Sequence, residues 1–442
     1  MKKLIYTLAI LALAVSLNAQ WVQQTNPLSN VLVGKIQFVS ATEGWISLGN
    51  GKLLHTINGG NNWLVVTPEP VDSLFGWSDP ALNMSFINAN TGWIIRTKGS
   101  QTVWNGAVVY KTTNGGVSWT KVTIPVADAG MYIQFTDANN GWILIFNANL
   151  IGGGMFRTTN GGVNWNAIYP PVGGFPFFIN SNTGWLMPIS PGGSGTTSDT
   201  IRKTTNGGVN WTAPWGTNAQ VNLNAIHFSD INNGWAVGKN GIILKTSNSG
   251  NSWTVYTYYV GMPFGYGFNC KSVFFLNANK GWITTKQDGT SNVNVLYTNN
   301  GGSNWTWQAV ATGGSSIFNI HFFDAMNGGL TSENLILHTT NGGGVGVITI
   351  SSEIPSTYSL GQNYPNPFNP TTKIKFDVAR TGDVKIVVYD VMGREVQALV
   401  NESLKPGTYE ASFDASALNS GVYFYKLITD SYTETKKLLL IK

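Results

Sequence analysis

A Gly-Trp pair recurs at 44–45, 92–93, 141–142, 184–185, 234–235 and 281–282, with a seventh copy reduced to Gly328-Gly329. A spacing of 43 to 50 residues, repeated seven times, means one supersecondary unit copied in series. Each pair is followed by a box, T-x-N-G-G-x-x-W. Its copies are "TINGGNNW" at 56–63, "TTNGGVSW" at 112–119, "TTNGGVNW" at 158–165 and 204–211, "TSNSGNSW" at 246–253, "TNNGGSNW" at 298–305, and a truncated "TTNGG" at 339–343.

Short strands fill the intervals. In the first copy the alternation predicts strands at 35–39, 44–48, 52–57 and 63–66, separated by turns at 40–43, at Asn50-Gly51 and at the box. Four strands every ~45 residues, arranged radially, predict an all-β, seven-bladed β-propeller over 20–345, whose ring closure protects the sheet edges. In the box, Asn can bond nearby backbone amides, the glycines supply positive φ, and Trp opens the next strand as a buried wedge. A Trp burying ~200 Å² at ~25 cal/mol/Å² stabilises by at most about 5 kcal/mol. The seventh box has no Trp after it, whereas "WVQQT" at 21–25 resembles "WTVYT" at 253–257. The two ends of the segment are therefore expected to build one blade together.

The box resembles the Asp-box (BNR) of sialidase-type propellers, with Asn in the usual Asp position. Combined with F-x-(N/D)-x-x-x-G-W, as in "FTDANNGW" at 135–142 and "FSDINNGW" at 228–235, it is closer to the seven-bladed photosystem II assembly and stability factor family. That resemblance covers about 21–345 and speaks to fold rather than function.

The chain has 442 residues with 52 Gly, 17 Trp and 11% charged residues, a composition suited to turn-rich β structure. The net charge is +5, but Lys2 and Lys3 sit in the leader and 20–345 holds 14 basic against 11 acidic residues. That bias is too weak for a nucleic-acid surface. Residues 1–19, "MKKLIYTLAILALAVSLNA", read as a signal peptide cleaved before Gln20, because the apolar run at 4–17 is short for a membrane span. No later segment is long and apolar enough to cross a bilayer. The single cysteine, Cys270, rules out an intrachain disulfide and reads as a small buried residue.

The style changes near 346, where Trp disappears and charge becomes commoner. Residues 346–358 read as a linker, and alternating short strands over 359–442 predict a small Ig-like β-sandwich. The segment resembles the type A C-terminal sorting domain of type IX secretion. The matching residues are Tyr364-Pro365-Asn366-Pro367-Phe368-Asn369-Pro370, Tyr389-Asp390 with Gly393, Gly421-Val422-Tyr423 before Lys426, and Lys436-Lys437-Leu438. The resemblance implies the type IX machinery as a partner, passage across the outer membrane of a Gram-negative bacterium, removal of the domain and attachment to a surface lipopolysaccharide. An ordinary Ig-like adhesion module is the alternative.

Residues suited to chemistry mostly fill recurring slots. His55 and His338 precede the box Thr, where Lys111, Arg157, Lys203, Lys245 and Tyr297 stand in other copies. His227 and His321 share the slot of Gln37, Ser85 and Gln134, and Asp137, Asp230 and Asp324 share turns with Asn88, Asn180 and Asn277. A sialidase would need three converging arginines, and the propeller holds only Arg96, Arg157 and Arg202. A xyloglucanase-like acid pair would have to come from Asp72, Asp79, Asp128, Asp199 or Asp288. No phosphate loop, zinc spacing or nucleophile elbow is present, so no cofactor or metal is expected.

What remains is binding. Turns after the first and third strands of each blade are short and uniform, while the connections after the second and fourth vary widely, at 66–82, 97–107, 187–200 and 255–270. These variable loops carry Trp77, Trp104, Tyr258, Tyr259, Phe264 and Tyr266, and irregular aromatic loops on a rigid frame suit recognition. The sequence thus points to an exported, non-catalytic scaffold binding an unidentified surface protein or glycan over the central channel. A secreted glycoside hydrolase and an assembly factor for another exported complex are the alternatives.

Overall fold

The computed structural model describes residues 21–28, 31–66, 84–99, 104–124, 129–146, 154–188, 200–214, 222–257, 268–287, 292–312, 317–325, 327–333, 335–339, 342, 348–351, 353–415 and 418–441. The signal-peptide reading of 1–19 lies outside them. Seven antiparallel sheets follow one another along the propeller segment, as the repeat predicts. In the first blade the strands run Val33–Phe38, Gly44–Leu48, Leu53–Thr56 and Leu64–Val66, within two residues of their expected bounds. The innermost strands form a ring: each lies beside its successor's blade, and Ile317–Phe322 of blade seven packs on Val33–Phe38 of blade one.

Blade four departs from the four-strand expectation. Its sheet has three strands, and the fourth is reduced to a single bridge between Lys203 and Thr212. The adjacent Pro214 has no N–H to extend the ladder.

Blade seven is completed from the other end of the chain. Val22–Gln24 pairs antiparallel with Leu335–Thr339, with Val22 opposite His338 and Gln24 opposite Ile336. Trp21 is 6% exposed and meets Phe322 edge-on at 5.9 Å. The box tryptophans Trp119, Trp165, Trp253 and Trp305 contact Phe86, Phe135, Phe228 and Phe275 in the same way. Trp21 therefore occupies the place left empty by the truncated seventh box.

The C-terminal unit is a sandwich of two four-stranded sheets around a core that includes Phe368, Ile374, Phe376, Phe413, Tyr425 and Leu438. Ile348–Ser351, within the stretch expected to be a linker, is one of its strands and pairs with Gly407–Asp414. The backbone groups of this short segment thus find partners in the sandwich sheet.

Candidate functional site

The box is a self-capped turn. In the first copy, Thr56 Oγ1 accepts from the Gly60 N–H at 2.9 Å and donates to Asn58 Oδ1 at 3.0 Å, which accepts from the Asn62 N–H at 3.0 Å. Gly59 and Gly60 take φ of 70° and 94°, a region closed to most side chains. The same bonds recur in the boxes at Thr112, Thr158, Thr204, Thr246 and Thr298. Thr is thus as necessary to the turn as Asn, a role the sequence reading did not assign.

Boxes and the turns after each first strand share one face. The Gly59, Gly115, Gly161, Gly207, Ser249 and Gly301 amides donate to Thr42, Asn90, Asn139, Asn182, Asn232 and Asn279 carbonyls in those turns. Asp137, Asp230 and Asp324 cap the same turns by accepting from backbone amides, as Asn88, Asn180 and Asn277 do. They serve as turn caps. The second and fourth strands run away from this face, so the strand ends at Val66, Gly99, Pro188 and Thr257 lie at the opposite one.

Between blades the Gly-Trp pair takes over. Its Trp stacks flat on the Phe of the next blade, at 3.4–3.9 Å for Trp45–Phe86, Trp93–Phe135, Trp142–Phe178, Trp185–Phe228, Trp235–Phe275 and Trp282–Phe322. In five of the six the indole N–H also donates to a carbonyl in the next blade's box, at Gly161, Gly207, Ser249, Gly301 and Gly342. The slot before the box Thr covers the other face of the indole. Lys111, Arg157 and Lys245 lie 5.2–5.8 Å above Trp93, Trp142 and Trp235, and His55 stacks on Trp45 at 4.6 Å. Arg157 further donates to the Asn206 and Ser181 carbonyls of the next blade.

A second ring lies nearer the axis, at the slot before each Phe: Gln37, Ser85, Gln134, Phe177, His227, Phe274 and His321. Gln37 and Gln134 accept from and donate to the backbone of Phe86 and Phe178 in the next blade. Ser85 accepts from the Phe135 N–H, and the Nδ1 atoms of His227 and His321 accept from the Phe275 and Phe38 amides at 3.3 Å. Burial pushes His227 down to about 4, while burial, the Lys35 charge and His227 together push His321 down to about 3. Both rings are neutral at pH 7, and with Nδ1 accepting, the proton sits on Nε2. Phe177 and Phe274 stand in the ring where other blades have polar groups, with Phe274 4.8 Å from His227 and 4.7 Å from His321. Lys35 also lies on an innermost strand, donating to the Met84 carbonyl at 3.1 Å, and burial lowers it to about 8.

Of the expected ligand contacts, Trp77, Tyr258, Tyr259, Phe264 and Tyr266 lie outside the described residues. Trp104, expected in a variable loop at 97–107, instead opens the strand Trp104–Thr112, its backbone opposite Gly99 of the strand Gly92–Gly99, because the second and third strands of this blade extend into that connection. The candidate acids Asp72, Asp79, Asp128, Asp199 and Asp288 also lie outside. Cys270 is fully buried and burial raises its thiol to about 12, against a smaller opposite pull from Lys271. Among the described residues no group of three or more His, Cys, Asp or Glu could hold a metal ion. No described helix is long and apolar enough to cross a membrane.

In the C-terminal unit the opening motif clamps the last strand. Phe368 is buried, its N–H donates to the Leu439 carbonyl, and its carbonyl accepts from Ile441. Asn366 Oδ1 accepts from the Leu439 N–H. Asn363 is buried; its side chain donates to the Pro365 carbonyl and Thr372, and its N–H to Tyr425. Asp390 caps the hairpin turn through Met392 and Arg394, with Gly393 at φ 76°.

Two classes of relative follow from this architecture. The fold is that of a seven-bladed propeller, and solved propellers match it: YCF48 bound to D1 peptide at 19% identity and YCF48 from Cyanidioschyzon merolae at 17%. Each alignment covers 73% of this chain and 96% or 98% of the other, with TM-scores of 0.55 and 0.54. The GH74 xyloglucanase from Xanthomonas campestris matches at 11% identity and a TM-score of 0.57, over 81% of this chain and 59% of that one. At these identities the likeness is one of fold. No curated protein matches the chain in sequence. Residues 362–442 match the secretion system C-terminal sorting domain. The protein is accordingly an exported propeller that carries a type IX sorting domain and is directed to the surface or exterior of a Gram-negative cell.

Proposed function

We propose that the propeller is a non-catalytic binding scaffold for a surface protein or glycan. One observation carries this reading: Asp137 and Asp230 cap turns, His227 and His321 use Nδ1 to hold the next blade's backbone, and Arg157 donates to carbonyls of the next blade. The ligand is proposed to sit on the variable-loop face, over the central channel, with Trp77, Trp104, Tyr258, Tyr259, Phe264 and Tyr266 as anchors. Large amphipathic side chains on loops of a rigid frame supply contact area at little conformational cost. YCF48, a propeller of this kind, has been solved with a peptide, which supports a binding role for the ring.

Capture from the producing cell's surface fraction, together with a glycan array, identifies the partner. Alanine at Trp104 and Tyr259 is expected to weaken that capture at least tenfold while leaving the melting temperature nearly unchanged. If only box substitutions abolish capture, in protein that remains folded, the binding face is the opposite one.

A further inference from the structure

The seven innermost strands carry Lys35, Lys271, His227 and His321 and no Asp or Glu. Alternate residues on these strands, among them Lys35, Phe177, His227, Phe274 and His321, stay partly exposed deep in the ring, as residues lining an axial channel do. Neither histidine Nε2 has an acceptor among the described residues, so each offers an N–H donor. Lys35 adds an ammonium of which one N–H is committed to Met84. Donors of one sign in a low-dielectric channel focus the potential toward an anion. The apolar rings of Phe177 and Phe274 flank His227 at 5.3 and 4.8 Å, Phe274 standing between it and His321. Asn319 lies two residues before His321, on the same strand face, and its buried Oδ1 has no partner among the described residues. An orphan acceptor of this kind costs stability until a donor reaches it.

We propose that the axial channel binds a uronic acid unit of an acidic glycan. Its carboxylate meets the Nε2–H groups of His227 and His321 and the Lys35 ammonium. The apolar face of the sugar lies on Phe177 and Phe274, and a hydroxyl donates to Asn319 Oδ1. A carboxylate alone would leave that acceptor and those rings unused. An extended peptide would need a strand edge, and here the amides of Phe38, Phe86, Phe135, Phe178 and Phe275 are already taken by side chains of the preceding blade. This inference rests on the binding-scaffold reading and narrows its ligand class.

Calorimetric titration of the full chain at pH 7.5 with oligogalacturonate and with its methyl ester tests the proposal. The ester keeps the sugar and removes the charge. The acid is expected to saturate and the ester to bind at least about tenfold more weakly, the loss of one charge-assisted bond. His227→Gln and His321→Gln install the residue that blades one and three already use in this slot, so the fold is kept while the donor is redirected to the next blade's backbone. Each, and Lys35→Met, is expected to weaken the acid about tenfold with little change in melting temperature. Equal affinity for acid and ester, wild-type affinity in all three variants, no saturable binding of the acid, or tighter binding of a peptide through its free C-terminal carboxylate overturns the proposal. If the acid fails while Trp104→Ala still abolishes surface capture, the channel inference falls and the scaffold reading stands. If capture is also insensitive to the loop variants, both fall.

Discussion

At the scale of single residues, the repeat places the same few side chains at each blade boundary and gives them cross-blade partners. The two channel histidines show the energetic side of this arrangement. Their folded values of about 4 and 3 lie below an unfolded value near 6.5, so between these limits the unfolded chain binds more protons than the folded one. Their contribution to stability is complete above about pH 6.5 and is lost as pH falls toward the folded values. Denaturation midpoints measured from pH 7.5 down to 4 should decline, and the double variant His227→Gln/His321→Gln should flatten that decline. An unchanged slope in the double variant would mean that other groups set the acid limit.

At the scale of strands and turns, the element contributed by the N-terminus is built into the ring. Trp21→Ala removes a buried ring packed edge-on against Phe322 and should cost roughly 3–5 kcal/mol, as other large core truncations do. Equilibrium unfolding in denaturant measures it; an unaltered midpoint would place the N-terminal strand outside the fold. Blade number, strand order and the box turn were legible because they depend on local periodicity, on Gly at positive φ and on alternation within a few residues. The indole bonds were not, since Trp93 and Gly161 are 68 positions apart and no local pattern announces the pair. The channel ring was half legible. The shared slot, seven residues before each Gly-Trp pair or its Gly-Gly remnant, could be read from spacing in all seven copies, Phe177 and Phe274 included, but that these side chains face one another with Lys35 beside them appears only once the strands are brought round an axis. The proposed contacts on the variable loops follow no repeat, so periodicity could mark where they lie but not how they converge.

At the scale of the whole molecule, two units with different chemistry share one chain, a Trp-rich ring and a sorting sandwich free of Trp. We propose that the mature surface form lacks residues 1–19 and most of 360–442. Intact-mass measurement of native surface material checks both ends, and a chain still ending at Lys442 would count against removal of the sorting domain. The sandwich begins its pairing at Ile348–Ser351, so a cut after that strand would leave it attached to the propeller without its partner at Gly407–Asp414.

The strand through which the chain leaves the propeller, Leu335–Thr339, is not an edge strand. It is held on one side by Gly328–Ser332 and on the other by Val22–Gln24. A pull on the C-terminus is therefore directed along a strand bonded to both neighbours, and it must shear two hydrogen-bonded ladders together rather than peel one of them rung by rung. A ring closed by its own first strand is in this sense a mechanical fastener, strongest against the drag that a protein held by its C-terminal end would feel in moving fluid.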